Sequence, residues 1–385
     1  MTRKNFQTSN IVAVSFAHLI HDVYSSFLAP ILPLLIERLS ISYAQAGLFN
    51  VFFRAPSLLN PFIGIWADKI SVRFFIILSP VVTSICMSLL GLAPGYTLVA
   101  ILLLVSGLSS ALFHVPAPVL VKEISGDRVG KGMSFFMLGG ELARSLGPLT
   151  ILGAISLWQF EGTWKLIPMG LLASTVVYFK TSHLSLAKRE HFSDKIKHPL
   201  TILKERLLFF GVICGIQFIL GLMKMAFTLF LPSYLKVNGE SLWFAGISLS
   251  VLEFAGAVGT IFSGGISDKI GRKSMLLLIM TLSPILMWIF ILSTGHFRII
   301  ILVILGYFLF STGPVMLALM QDEGKDHPAF FNGIFMTLNF GMNSLASFLL
   351  GVLGDYMGLN DSYRLVAVVA FAGILFVLGV PKKRI

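Results

Sequence analysis

Residues 264–273 read GGISDKIGRK, and residues 64–73 read GIWADKISVR. The two stretches share a Gly, an Asp-Lys pair and an Ile at matching places, although only 12% of the chain is charged. Internal repeats indicate architecture and are weighed before other signals. The repeated stretch therefore predicts two related halves, each carrying one copy.

The composition indicates a membrane protein. Of 385 residues, 56% are hydrophobic and 34 are Phe, whereas a soluble protein of this length needs far more charge to cover its surface. The net charge of +11 does not indicate nucleic acid, because the basic residues fall in short gaps between apolar runs. Cys86 and Cys214 lie far apart inside apolar runs, so we expect two buried thiols.

Apolar runs of about 20 residues, the length that crosses a bilayer, recur along the whole chain. They predict twelve transmembrane helices at 11–36, 43–66, 74–93, 96–121, 133–153, 163–180, 207–235, 242–266, 274–293, 299–320, 330–353 and 363–380. We predict an all-α membrane protein with an N-terminal six-helix half (1–180), a cytoplasmic linker (181–206) and a C-terminal six-helix half (207–385). The first run carries Asp22 and is predicted to be a retained helix rather than a cleaved signal peptide.

The distribution of Lys and Arg predicts the orientation. Outer loops hold Arg38, Lys165, Lys236, Arg298 and Arg364, and the spans hold Arg54, Arg144 and Lys224. The remaining basic residues fall in the inner segments, so both termini, the linker and both copies of the repeat are predicted to be cytoplasmic. Ordinary positively charged turns would explain the Lys and Arg of the repeat, but they leave the recurring Asp unexplained.

The stretch 264–273 resembles the loop signature of the major facilitator superfamily, which is complete there; in the first copy Ser71 and Val72 replace its Gly and Arg. A narrower resemblance, to the fosmidomycin-resistance group of drug efflux proteins, rests on four blocks. These are HLIHDVYSSFLAPILPLL (18–35), SSALFHVPAP (109–118), GGELARSLGPL (139–149) and FGMNSLASFLLGVLGD (340–355). Val115 and Pro116 follow His114 where that group carries Pro and Glu. Residues 143–148 match an antiporter pattern in part.

The resemblance implies a monomeric transporter in which helices 1, 4, 7 and 10 line a cavity and helices 2, 5, 8 and 11 join the halves. It also implies a conformational gate formed by Gly64, Asp68, Lys69, Arg73, Gly264, Asp268, Lys269, Gly271, Arg272 and Lys273. Asp68 is expected to meet the start of helix 11 (329–332), and Asp268 the start of helix 5 (132–135). A carboxylate is stabilised at a helix N-terminus. Lys69, Arg73, Arg272 and Lys273 are expected to hold these Asp side chains.

Ionisable residues inside spans are costly and mark candidate functional sites. Here they are Asp22, Arg54, Glu141, Arg144, Lys224 and Glu253. Ser15, His18, Asp22 and Ser25 share one helical face, which predicts a cavity wall with Asp22 as proton acceptor. The alternative is an Asp satisfied by a neighbouring helix in a purely structural role.

Three His residues also fall in spans. Each of His18, His21 and His114 could be a simple interhelical hydrogen-bond partner, but His titrates near neutral pH, which favours a proton relay at His114. Pro116 and Pro118 are expected to distort that helix. We predict no metal site, since no Cys, His and carboxylate cluster with metal spacing accompanies these residues.

Glu141 and Arg144 are three residues apart and share a helix face, so they are expected either to pair with each other or to act separately. Across the halves, the resemblance predicts that Arg144 pairs with Glu253. Lys224, on a cavity helix, suits an anionic or zwitterionic substrate. The candidate proton-coupling residues are Asp22, His114, Glu141 and Glu253; the substrate-binding residues are His18, Asp22, His114, Arg144 and Lys224; and the interhelical charges are Arg54, Arg144 and Glu253.

Together these features predict a secondary active transporter that exports a drug-like or metabolite molecule in exchange for protons. No Walker motif is present in the sequence, so ATP is not the expected energy source. Proton symport that imports a small organic anion is the alternative, and a membrane receptor or an enzyme is disfavoured. We expect a bacterial inner-membrane location, contacts with lipid and no cofactor other than the coupling proton.

Overall fold

The computed structural model describes residues 5–60, 62–63, 73–181, 204–324 and 328–380, without the side chains of 328–330. The described residues are helical apart from short turns and contain no strand. The α-helices are α1 (Thr8–Ser25), α2 (Leu28–Leu39), α3 (Tyr43–Arg54), α4 (Arg73–Ser88), α5 (Tyr96–His114), α6 (Ala117–Ile124), α7 (Val129–Trp158), α8 (Ile167–Thr181), α9 (Leu207–Thr228), α10 (Leu231–Val237), α11 (Leu242–Ile270), α12 (Arg272–Leu292), α13 (Phe297–Glu323), α14 (Pro328–Val369) and α15 (Gly373–Leu378). Short 3₁₀ helices cover Ala55–Leu59, Leu89–Leu92, Glu161–Leu166 and Ala370–Ala372.

Three predicted spans are broken rather than continuous, and a proline lies beside each break. The first is interrupted between α1 and α2, and α2 begins two residues before Pro30. The fourth is interrupted between α5 and α6 at Pro116, as expected, and the seventh between α9 and α10 just before Pro232. Proline lacks the N–H for the helical ladder and its ring clashes with the preceding turn. The spans predicted at 11–36 and 207–235 therefore each contain a helix break that was not predicted from the sequence.

The end of the chain also differs from the prediction. Helix α14 runs through the gap predicted between the last two spans and changes direction at Gly358, whose φ is 78° and ψ 159°. Only Gly adopts this combination at little cost, so the two predicted spans meet at one residue instead of across a loop.

Eight described stretches are long and apolar enough to cross a membrane. They are Thr8–Leu39, Arg73–Leu92, Tyr96–Ile124, Leu207–Thr228, Leu242–Ile270, Arg272–Leu292, Phe297–Glu323 and Phe331–Leu378. Helix α7 is long enough but carries Glu141 and Arg144 in its middle, and α8 has only 15 residues. Length and composition alone therefore identify fewer spans among the described residues than the twelve predicted.

The chain divides into two compact units: one of residues 1–41 and 49–192, and the other of residues 42–48 and 193–385. Residues 42–48 group with the second unit because glycines permit close contact with α14. A Cβ on Gly47 would lie 2.4 Å from the Ser347 carbonyl oxygen, and one on Gly351 would lie 2.3 Å from that of Tyr43. The predicted boundaries did not anticipate this segment. Most of the predicted linker, 182–203, lies outside the described residues.

Small residues bring α1 and α7 close together in the first unit. A Cβ on Gly139 would lie 2.6 Å from the Ser15 carbonyl oxygen, and one on Gly147 would lie 2.8 Å from that of Val23. Apolar helices in lipid associate through such close backbone contact, since lipid tails are as apolar as their side chains. This contact places the polar face of α1 against α7.

Candidate functional site

The side chains of His18, Asp22 and His114 meet in the first unit. His18 and Asp22 are one turn apart on α1, and His18 Nε2 lies 3.2 Å from Asp22 Oδ2. His114, the last residue of α5, places its Nε2 3.1 Å from Asp22 Oδ1. The sequence predicted each of these residues separately, and the structure places one carboxylate between two imidazoles.

The hydrogen-bond geometry of His18 requires an additional proton in this cluster. His18 Nδ1 lies 2.7 Å from the backbone oxygen of Phe136, which can only accept, so Nδ1 carries a hydrogen. In a neutral imidazole Nε2 is then an acceptor, and its 3.2 Å approach to an ionised carboxylate oxygen would be repulsive. Either the imidazole or the carboxyl group therefore holds a further proton.

Aromatic rings fix the orientation of the buried imidazoles. The His18 ring stacks on Phe136 with centroids 4.0 Å apart, and the His21 ring stacks on Phe113 at 4.7 Å. His21 Nε2 is 4.0 Å from Asp22 Oδ1, and among the described residues neither of its ring nitrogens has a hydrogen-bond partner. These stacking contacts restrict the rotation of both imidazole rings.

The three side chains of the cluster differ in how much of their surface is exposed. The side chains of His18 and Asp22 are 5% and 15% exposed, whereas that of His114 is 38% exposed. His114 thus connects the buried carboxylate to the outside of the unit. Its position at the end of α5 follows from the proline break immediately after it, which ends the helix there.

Gly140 on α7 leaves the space that the cluster occupies. A Cβ at this position would lie 2.6 Å from His18 Cε1 and 3.2 Å from Asp22 Oδ2. Neither Gly140 nor Phe136 was predicted from the sequence, although Gly140 falls in the quoted block 139–149. Only the packing of α7 against α1 shows what these two residues do.

His18, Asp22 and His114 form a group that could hold a metal ion, and the absence of a metal site stays a prediction. One ligand atom from each of His18, Asp22 and His114 lies within 4.8 Å of the others, a spacing that a single ion could bridge. Sequence spacing did not show this group because His114 comes from a different helix. The same side chains also suit proton exchange, because imidazole and carboxyl groups both bind and release protons.

Glu141 and Arg144 form an ion pair within α7. The Glu141 side chain is 12% exposed and that of Arg144 is 39% exposed, so the carboxylate is the more enclosed partner. This confirms the pairing within the helix that the sequence left open. Arg144 and Glu253 belong to different units, and their pairing stays a prediction.

The other predicted charges lie on separate elements. Arg54 ends α3, with its guanidinium 5.9 Å from the Phe53 ring centroid. Lys224 lies on α9, with its ammonium 4.8 Å from the Phe310 ring centroid, and Glu253 lies on α11. Lys224 lines a cavity in the second unit together with three polar residues that were not predicted from the sequence, Gln217, Asn339 and Asn343.

The two copies of the repeat differ in how much of them is described. Gly64, Asp68 and Lys69 lie outside the described residues, and Arg73 begins α4. In the second copy Gly264, Asp268 and Lys269 belong to the last turns of α11, and Gly271 separates α11 from α12. The second copy of the repeat therefore consists of the end of α11, a turn at Gly271 and the start of α12.

Arg272 binds Asp268 as expected, and its Nη2 lies 2.6 Å from Asp268 Oδ1, four residues earlier in the chain. Its Nε also lies 3.5 Å from Asp322 Oδ2 on α13. Lys273 was expected to hold an Asp side chain, and that was wrong. Its ammonium donates to the backbone oxygens of Leu378 and Val380, because the end of the last helix presents carbonyls without helical partners.

Comparison with known proteins shows to which family this helical membrane protein belongs. The sequence model of the Major Facilitator Superfamily matches residues 14–347, and the chain belongs to that family. It is therefore an all-α integral membrane protein whose fold comprises twelve helices in two halves, as predicted. The eight stretches found by length and apolarity cover nine of the twelve predicted spans, because Phe331–Leu378 covers two of them, and α3, α7 and α8 are not among the eight.

Three known proteins illustrate the similarity. The Fosmidomycin resistance protein of Escherichia coli (strain K12) is 28% identical over 382 residues, covering 97% of this chain and 92% of the relative. Multidrug resistance protein MdtG of Salmonella paratyphi C (strain RKS4594) is 23% identical over 282 residues, covering 68% and 67%. The crystal structure of a D-xylose-proton symporter has a TM-score of 0.75 at 15% identity, covering 99% of each chain, and shows the shared fold. The predicted resemblance to the superfamily and to the fosmidomycin-resistance group is confirmed.

Proposed function

We propose that the protein is a secondary active transporter that exports a small anionic or zwitterionic molecule in exchange for protons. We place it in the bacterial inner membrane as a monomer, with both termini in the cytoplasm. The observation that supports proton coupling best is the position of the His18 ring, whose Nδ1 lies 2.7 Å from the Phe136 backbone oxygen and whose Nε2 lies 3.2 Å from Asp22 Oδ2. The names of the two curated relatives, a fosmidomycin resistance protein and a multidrug resistance protein, support export.

In this proposal Asp22 is the group that binds and releases the transported proton. His114, the more exposed neighbour, passes the proton between Asp22 and water, while His18 shares it with the carboxylate. A proton on the cluster changes its net charge by one unit. That change alters the affinity of the first unit for a charged solute, which is the differential interaction that coupling requires.

The remaining intramembrane charges have secondary roles in the proposal. Glu141 is a second proton-coupling candidate because its carboxylate is enclosed, and Arg144 holds it in place. Glu253 remains a coupling candidate and Arg54 an interhelical charge. Asp68 and Asp268 would close the cytoplasmic gate at the starts of helices 11 and 5, a contact that must break and reform in every cycle.

The experiment is proton-driven flux in proteoliposomes of known orientation, with fosmidomycin as the first compound because a relative is named for resistance to it. Asp22→Asn keeps the size of the side chain but cannot exchange a carboxyl proton. We expect this variant to lose uphill transport while its helix content and melting temperature stay near those of the parent. Asp361→Asn, an exposed acid paired with Arg364, is the matched control. Uphill transport by Asp22→Asn at the parent's rate would show that Asp22 is structural.

The direction of the imposed gradient separates export from import. Antiport predicts that protons enter the compartment that the solute leaves, whereas symport of an organic anion predicts movement in the same direction. Acids near a cavity serve either mode, because both need only proton binding and release. Movement of solute and protons in the same direction would replace the proposal with the symport alternative.

A further inference from the structure

The side chains of His18, Asp22 and His114 direct two imidazole nitrogens and a carboxylate towards one another. One ligand atom from each residue lies within 4.8 Å of the other two. His18 Nε2 and His114 Nε2 lie 3.2 and 3.1 Å from the nearest carboxylate oxygens. Two ligand atoms that a tetrahedral zinc ion holds at about 2.0–2.1 Å are roughly 3.3–3.4 Å apart. Both contacts with the carboxylate therefore come close to the separation of ligands around a single ion.

Asp22 Oδ1 has close neighbours but makes no hydrogen bond. It is buried and has no hydrogen-bond partner among the described residues, although His114 Nε2 lies 3.1 Å away. His21 Nε2, which is fully buried, lies 4.0 Å from the same oxygen and also lacks a partner in the part of the chain that the structure describes. Buried polar atoms without partners are costly and call for an explanation. Ligands of one metal ion show such close approach, because their lone pairs point to the ion and not to each other.

The hydrogen bond of His18 prepares its Nε2 for a metal ion. Nδ1 lies 2.7 Å from the Phe136 backbone oxygen and carries a hydrogen, so Nε2 of the neutral ring has a free lone pair. This lone pair faces an Asp22 oxygen 3.2 Å away, and the two repel each other unless a cation lies between them. A metal ion can take that place as well as a proton. Imidazole ligands of protein metal sites usually donate their other ring N–H to a backbone oxygen or a carboxylate, as His18 does.

The chemistry of the donors favours a divalent first-row transition metal. Neutral imidazole suits zinc, copper, nickel and iron, whereas calcium and magnesium prefer a shell of oxygen ligands. Three protein ligands leave one position of a tetrahedral ion open, while structural zinc sites fill all four with protein. The His114 side chain is 38% exposed and gives an ion access to the buried carboxylate. We therefore expect binding to be reversible.

We propose that His18, Asp22 and His114 form a reversible binding site for a divalent transition-metal ion of the zinc type. His18 and Asp22 lie one turn apart on α1 and His114 ends α5, so the ion joins two helices of the first unit. The sequence predicts no metal site because it shows only spacing along the chain, in which His114 is far from the other two residues.

Bound zinc should also inhibit proton-driven flux. The ion occupies the carboxylate and imidazole atoms to which the proposed function assigns the coupling proton. This effect on transport rests on the proposed function, whereas the binding of the ion does not.

The test is equilibrium binding of zinc to the purified full chain in detergent, without a His-rich tag and without a proton gradient. Asp22→Asn and His114→Gln should each raise the dissociation constant of zinc at least tenfold, because even the outer hydrogen-bond partners of metal ligands change the affinity by about ten- to a hundredfold. His296→Gln, which changes an exposed His directly before α13, is the matched control and should bind zinc like the parent.

Cobalt(II) and magnesium are the comparison ions. Cobalt in a four-coordinate site absorbs visible light far more strongly than the hydrated ion, so the parent should show this band and Asp22→Asn should lose it. Magnesium at the same concentration should not displace zinc. Equal zinc affinity in the parent, Asp22→Asn and His114→Gln would overturn the inference, as would an equal loss of affinity in His296→Gln.

Binding and transport together separate this inference from the proposed function. Zinc that binds at the cluster and leaves proton-driven flux unchanged would support the metal site and count against Asp22 as the coupling group. Flux that depends on Asp22 in a protein whose cluster binds no zinc would overturn the metal site and leave the proposed function in place.

Discussion

The Asp355 carboxylate accepts a hydrogen bond from the backbone nitrogen of Tyr43, with Oδ1 2.6 Å away, at the start of α3. Its other oxygen accepts from the nitrogen of Ala44 at 2.9 Å. Ser42 and Gln45 add a capping box, because the Ser42 hydroxyl accepts from the Gln45 nitrogen and the Gln45 side chain accepts from the Ser42 nitrogen. All four hydrogen bonds satisfy N–H groups that a helix start leaves without partners.

Asp355→Ala removes this carboxylate and leaves the capping box as the remaining support for the start of α3. We expect a loss of about 0.5–2 kcal/mol in the free energy of unfolding, the usual cost of losing a helix cap. Thermal or denaturant unfolding in detergent measures it. Asp361→Ala is the control, because Asp361 forms only an exposed pair with Arg364, and such pairs contribute about 0–1 kcal/mol. An equal effect of the two variants would contradict the capping role.

Gly140→Ala should disable the proton cluster without destabilising the helix. The added Cβ would lie 2.6 Å from His18 Cε1, so the imidazole must move away from Asp22. A shift of about 1 Å at a reacting group can cost a hundredfold in rate, and we expect at least a tenfold loss of proton-driven flux. Ala has a higher helix propensity than Gly, by roughly 0.5–1 kcal/mol, so the substitution should not weaken the backbone of α7 itself.

Gly153→Ala on the same helix is the matched control, because a Cβ at that position meets no atom within 4 Å. It should leave flux near the parent's value. A Gly140→Ala variant that transports like Gly153→Ala would show that the space beside His18 is not needed.

Local sequence signals predicted those parts of the fold that depend on nearby residues. Pro116 predicted the distortion of the fourth span, because a missing N–H affects the turn in which it occurs. Pro30 and Pro232 also disfavour a continuous helix, but no break was predicted in the long apolar runs around them. Long apolar stretches predict that a span exists, and they say less about where its helix is continuous.

The candidate site depended on contacts that sequence spacing does not contain. His18 and Phe136 are 118 residues apart and meet only because α1 and α7 pack through glycines. Asp22 and His18 share one helix face, so their proximity was predictable. The contribution of His114 and the cavity around Asn343 required the packing of separate helices.

The ion pair between Glu141 and Arg144 should contribute to stability more than a surface pair. The Glu141 side chain is only 12% exposed, so we expect a coupling free energy between the ~0.5 kcal/mol of an exposed helical pair and the ~3 kcal/mol lost when a buried pair is broken. A double-mutant cycle with Glu141→Gln and Arg144→Gln measures it. A coupling energy indistinguishable from zero would show that the two groups act separately.

Gly271 is expected to be essential to the turn that presents Arg272. Its φ of 91° and ψ of 146° lie in a region that residues with a Cβ rarely adopt. Gly271→Ala should therefore lower the free energy of unfolding by about 1–3 kcal/mol. It should also disturb the contacts of Arg272 with Asp268 and Asp322, since Arg272 begins the next helix directly after the turn.

Gly265→Ala is the control for this turn, because Gly265 lies within α11 and a Cβ there meets no atom within 4 Å. Arg272→Lys separates the turn from the charge, since a Lys ammonium keeps the charge but lacks the planar fork that reaches two carboxylates at once. If the gate depends on Arg272 holding Asp268, both Gly271→Ala and Arg272→Lys should slow flux and shift spin-label distances across the cytoplasmic mouth. If only Gly271→Ala lowers stability and neither variant changes the distances, the second copy of the repeat is a structural turn and the gate hypothesis fails.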